Sequence, residues 1–85
     1  MEYSPDNAAI YILVAAINKF SIDIDSLYKK YDKSGEDKMS YDNFNFLVNK
    51  VGNNIQSNIV SMAFKRIDVQ NKGYITLKEF KNSIL

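Results

Sequence analysis

The sequence predicts an all-α fold in which an apolar N-terminal helix precedes two copies of one unit, helix, polar loop, helix. Three observations lead there. Apolar residues recur at the three-and-four spacing of a helical face; polar stretches beginning at Asp32 and Asp68 interrupt them; and the second of these units repeats the first 36 positions later. With 85 residues and 46% hydrophobic content, the chain is sized for one compact domain around one core. Its parts are the helix in 1–20, the first unit in 21–52 and the second in 53–85.

The N-terminal helix opens at Ser4-Pro5-Asp6. Ser caps free backbone amides, Pro suits the first helical position, and Asp complements the positive end of the helix dipole. A helix over residues 5–19, opening at Pro5 and ending at Lys19, follows. Residues 8–17 carry no polar side chain other than the Tyr11 hydroxyl, and a helix apolar on every side is expected to be buried on every side. The run is ten residues, short of the roughly 20 that span a bilayer. Acidic Glu2 and Asp6 precede it where a signal peptide carries basic residues. It reads as a retained helix.

A second helix start lies at 21–25, after which Ile24, Leu27, Tyr28 and Tyr31 line one face and lead into Asp32. Beyond the polar stretch, Phe44, Leu47, Val48 and Val51 resume the period until Gly52, a natural stop. Asn53 and Asn54 connect to a third run, Val60, Phe64 and Ile67, which enters Asp68. After the second polar stretch, Phe80 and Ile84 begin a closing helix, shorter than the one it repeats, as in a lobe cut from a longer protein. The repeat extends to single positions. Tyr31, Tyr28 and Ile24 precede Asp32 at the same distances as Ile67, Phe64 and Val60 precede Asp68, and Phe44 and Val48 match Phe80 and Ile84.

Composition narrows the chemistry. Eleven Lys and Arg against ten Asp and Glu leave a net charge of +1, so no global field draws the chain to nucleic acid or to an acidic membrane. There is no Cys and no His, which removes disulfides, thiolate nucleophiles, Cys/His zinc sites and imidazole bases. Any metal the chain holds is a hard cation, Ca²⁺ or Mg²⁺, taken by oxygen ligands. The lack of Cys fits an intracellular, cytoplasmic setting. An enzyme acting through paired carboxylates has no support beyond the presence of Asp and Glu.

The two units resemble the paired EF-hands of the calmodulin superfamily. That resemblance implies a twelve-residue loop with oxygen ligands at positions 1, 3, 5, 7 and 9, a turn glycine at 6 and a bidentate Glu at 12. Carried onto the first loop, 32–43, it offers Asp32, Ser34, Glu36, the Lys38 carbonyl and Ser40, with Asn43 in place of the terminal Glu and Asp37 in place of the glycine. Glu36, longer than the usual Asp, partly compensates. The second loop, 68–79, has Asp68, Gly73, Ile75 and Glu79 where the family has them, with Gln70, the Tyr74 carbonyl and Thr76 as further ligands. Its Lys72 puts an ammonium where an oxygen is expected, at a cost of roughly 4 kcal/mol for a unit charge at 4 Å, unless the side chain swings out and leaves the place to water. The resemblance thus implies Ca²⁺, with Mg²⁺ as an alternative, held weakly or at one loop. It also implies that Met39 and Ile75 pair as a short antiparallel bridge between the loops.

In sensor hands the apolar core opens into a groove for an amphipathic helix. Here that groove is expected to be lined by Ile24, Leu27, Tyr28, Tyr31, Phe44, Leu47, Val48, Val51, Val60, Phe64, Ile67, Phe80 and Ile84. Its occupant is the N-terminal helix of the same chain or the helix of a partner, a second copy included. Ala8-Ala9-Ile10-Tyr11-Ile12 resembles the start of the apolar helix that precedes the first regulatory EF-hand of calcium-dependent protein kinases. A small stand-alone calmodulin-like or myosin-light-chain-like protein, whose helix meets a partner or another copy, is the other reading, in its light-chain-like form a subunit gripping a target helix without calcium; a helix that only completes the core is a third.

Overall fold

A computed structural model describes residues 8–52 and 54–84; the expected start at 4–6 lies outside them, as do Asn53 and Leu85. Helix α1 spans Ala8–Phe20. It ends where Ser21 turns to a positive φ of 52 and the Ile22 N–H donates to the Ile17 carbonyl at 3.0 Å, the left-handed closure that satisfies late helical carbonyls. α2, Ile24–Tyr31, begins one turn further on. Asp23 caps it, accepting from the Ser26 N–H at 3.3 Å and the Ser26 hydroxyl at 2.6 Å.

The strands β1, Met39–Ser40, and β2, Tyr74–Ile75, pair antiparallel, with Met39 opposite Ile75 and Ser40 opposite Tyr74. Each strand leads into a helix: α3, Tyr41–Gly52, after the first and α5, Leu77–Ile84, after the second, with α4, Ser57–Ile67, between. One core draws on all five helices and both strands. Its aromatic centre joins Tyr28 to Phe80 at 5.8 Å between ring centroids, Phe44 to Phe64 at 5.7 Å, and Tyr41 edge-on to Phe64 at 5.5 Å, spacings at which aromatic pairs attract beyond simple burial. Among the described residues no helix is long and apolar enough to cross a membrane.

The expectation of a helix buried on every side is corrected. Ala9, Ile10, Leu13, Ala16 and Ile17 are buried, whereas Ala15 is exposed and Tyr11, Ile12 and Val14 are half-buried. The reason is geometric: α1 packs against α3, α4 and α5, and in a domain this small those neighbours lie on one side.

Gly52 does more than stop α3. A Cβ built there would lie 2.6 Å from Cγ2 of Ile12 and 3.1 Å from Cγ1 of Ile55, so the glycine is what lets α1 approach the end of α3. Gly52→Ala is expected to destabilise the protein by about 1–3 kcal/mol, the usual cost of overpacking. Truncation of Ile12 to Ala removes the methyl in the way, so a urea-denaturation double-mutant cycle should return a favourable coupling between the two substitutions.

Candidate functional site

The two polar stretches fold alike. In each, the N–H of the opening Asp closes the preceding helix, Asp32 to the Tyr28 carbonyl at 2.9 Å and Asp68 to the Phe64 carbonyl at 2.8 Å. Three residues later φ turns positive, at Gly35 (69) and Asn71 (53), and again two residues on, at Asp37 (63) and Gly73 (90). These turns bring the later backbone N–H back to the opening carboxylate: Asp37 donates to Asp32 Oδ2 at 3.0 Å and Gly73 to Asp68 Oδ2 at 2.8 Å. The 36-residue repeat of the sequence is thus a repeat of backbone shape.

The interiors of the loops differ. In the first, Asp32 Oδ1 accepts from the Ser34 hydroxyl at 2.6 Å and its N–H at 3.2 Å, and Ser34 Oγ accepts from the Glu36 N–H at 3.0 Å. Ser34, Glu36 and Lys38 are exposed and Asp32 is half-buried. Ser40 stands in β1 and its Oγ accepts from the N–H of Asn43, in the first turn of α3, at 3.3 Å.

In the second loop the Lys72 side chain takes the inward of the two positions open to it. Its ammonium donates to Glu79 Oε2 at 2.6 Å and to Asp68 Oδ1 at 3.3 Å, which also accepts the Lys72 N–H at 3.0 Å. Two carboxylates a loop-width apart make the inward position more favourable than water, and charge-assisted hydrogen bonds are the strong ones. Glu79 Oε1 accepts from the Thr76 N–H at 3.0 Å and the Thr76 hydroxyl at 3.2 Å. Gln70 is exposed, and the Tyr74 ring lies beneath two ammoniums, those of Lys38 at 5.4 Å and Lys72 at 5.3 Å. Asp68 is 4% exposed, the one buried acid of the pair of loops.

Three shifts in acidity follow from this arrangement. Burial pushes the Asp68 carboxyl up, but the Lys72 and Gly73 N–H groups and the Lys72 ammonium together bring it below its ordinary range. Burial likewise raises Glu79, and Lys72 and Thr76 outweigh it to leave the group lowered. Hydrogen bonding to Glu79, against the opposing effect of desolvation, raises Lys72.

Two contacts tie the loops together that the sequence does not suggest. Asp37, a departure from glycine at its turn, places Oδ1 2.8 Å from the N–H of Leu77 at the first turn of α5. The buried Tyr28 hydroxyl donates to the Ile75 carbonyl at 2.7 Å. Burial, then the nearby Asp37 carboxylate, pushes that phenol well above the ordinary tyrosine range. The only hint in the sequence is that Asp, unlike most residues, tolerates positive φ. A cleft of about 350 Å³ lies beside these groups, lined by Tyr28, Lys29, Asp32, Gly35, Asp37 and Leu77.

The expected groove residues converge. Tyr28, Phe44, Leu47, Val48, Val60, Phe64, Ile67, Phe80 and Ile84 are buried in one cluster, with Ile24, Leu27, Tyr31 and Val51 packed half-buried against it. Ala9, Ile10, Leu13 and Ile17 of α1 belong to the same cluster.

A hard divalent cation needs a set of converging oxygen donors. The second loop does not fit one in this arrangement, because the Lys72 ammonium stands between the carboxylates of Asp68 and Glu79. In the first, Asn43 supplies no carboxylate, and among the described residues no three His, Cys, Asp or Glu side chains converge closely enough to hold a metal ion. Compared with known proteins, the chain matches no family model, no curated protein and no solved structure.

Stability is expected to fall at both ends of the pH scale. Asp68 and Glu79 are depressed in the folded chain, so their stabilisation is complete above the ordinary values of 3.8 and 4.5 and is lost as pH falls through the lower folded values. Lys72 and Tyr28 are raised, so theirs is complete below 10.5 and 10.0 and is lost as pH climbs beyond them. Melting followed by circular dichroism across this range should show a central plateau, with a shallower acid limb in Lys72→Gln.

Proposed function

We propose that the chain is a paired EF-hand module of calmodulin-like type, not an enzyme, that works by holding an apolar helix in the groove between its two hands, with its own α1 as the occupant. The observation that carries this reading is the seat of α1. Ala9 and Leu13 are fully buried and join the cluster of groove residues, against α3, α4 and α5. Support for the hands comes from two loops of one backbone shape, joined by the Met39–Ile75 pair. The internal hydrogen bonds of the loops and the contacts of Asp37 and Tyr28 across them favour a grip that needs no metal, as in a light-chain-like subunit.

A Leu13→Asp variant, which puts a charge where the apolar face of α1 is buried, tests this. A synthetic peptide of residues 8–20 added to the isotope-labelled variant should bind and shift the resonances of Phe44, Phe64 and Phe80, and should leave the wild-type chain unchanged. A folded variant in which the peptide finds no site contradicts the reading. A second reading, weak Ca²⁺ response at the first loop, is favoured by the exposed side chains of Ser34 and Glu36 beside Asp32. It requires Ca²⁺ at up to about 5 mM, beyond the range of the weakest sites of this kind, to move the amides of 32–43.

A further inference from the structure

We infer that the second loop carries its own cation: the Lys72 ammonium takes the central place between Asp68 and Glu79, so this hand is closed without metal, and neutralising that one side chain turns the loop into a Ca²⁺ site. The inference rests on the paired EF-hand reading of the two loops.

The geometry is that of a bridged triad. One ammonium reaches Glu79 at 2.6 Å and Asp68 at 3.3 Å, acids at the last and first positions of the loop, with side chains 20% and 3% exposed respectively. A Lys side chain only 22% exposed is anchored rather than solvated. The other carboxylate oxygens are satisfied by the loop itself. Asp68 Oδ2 takes the Gly73 N–H, and Glu79 Oε1 takes the Thr76 N–H and hydroxyl. The Tyr74 ring, 5.3 Å from the ammonium, adds its negative face. Both loop carboxylates that would turn toward a bound ion already face a positive charge.

A divalent ion entering this loop must displace that charge or lie within a few ångströms of it, and at such distances in a partly buried site the repulsion is not screened away. The first loop offers no counterpart, since Asn43 stands where the second has Glu79 and Glu36 where it has Lys72. The two loops thus differ in whether a positive charge is built into them. The second supplies it covalently.

The experiment is a Ca²⁺ titration of the full-length wild type, Lys72→Asn and Lys72→Gln, to about 5 mM, followed at the backbone amides of Gly73 and Ile75 and by melting temperature. The expected result is no saturable shift and no stabilisation through this loop in the wild type. Lys72→Asn should bind at least about tenfold more tightly than the wild-type limit, with a melting temperature that rises with Ca²⁺. Lys72→Gln offers the same oxygen on a longer stem and serves if the shorter residue does not fold. Saturable movement of Gly73 in the wild type overturns the inference and leaves the paired-hand reading standing. Folded variants that remain indifferent to Ca²⁺ overturn the reading of this loop as a hand, and the inference with it.

Discussion

Replacing Leu13 with Ala is expected to lower the unfolding free energy by about 2–5 kcal/mol, the range for a fully buried leucine whose site cannot collapse. Leu13 is fully buried, in the middle of α1 and inside the cluster shared with α3, α4 and α5. A domain of this size has about 5–15 kcal/mol in all, so the substitution removes a large share. Urea denaturation gives the magnitude. Ala15, one half-turn away and exposed, is the control: Ala15→Ser should cost a few tenths of a kcal/mol at most, the usual limit for an exposed site.

The second large effect belongs to Asp68. Asp68→Ala is expected to cost about 2–4 kcal/mol, because it takes a buried acceptor away from several donors at about 1–3 kcal/mol for each one left unsatisfied, while the Lys72 ammonium keeps Glu79 as its partner. Here those donors are the N–H groups of Lys72 and Gly73 together with the Lys72 ammonium. Asp32→Ala removes the matching bonds from the first loop, where water reaches the abandoned groups of Ser34 and Asp37, and should cost only about 1 kcal/mol. Chemical denaturation of the two variants side by side reads the difference, and equal costs would mean that the loops are energetically alike.

The helices and loop boundaries were legible because they rest on local rules. Three-and-four periodicity located α2 to α5, and the repeated spacing around Asp32 and Asp68 placed both loops; the Met39–Ile75 pair came from the resemblance to paired EF-hands. Side-chain direction was less legible. The order of residues in the loop does not say whether a lysine turns out to water or in toward two carboxylates; that depends on how the fold brings Asp68 and Glu79, at its two ends, to either side of the ammonium. The same holds for Asp37, whose partner Leu77 is 40 positions away, and for Gly52, whose role appears only when Ile12 is brought beside it. The sidedness of α1 is a third case. An apolar run specifies that a helix seeks cover, and the number of neighbours in a small domain decides how much of it is covered.

The central claim, that the module grips α1 without metal, is most directly tested by amide hydrogen exchange on the full-length chain in chelator and again in Ca²⁺. The account predicts that the amides of Leu13 and Ile17 are protected to the same degree as those of Leu47 and Phe64, opening only with global unfolding, and that Ca²⁺ leaves that protection unchanged. Rapid exchange of α1 while α3 and α4 remain protected, or release of α1 when Ca²⁺ is added, would contradict it.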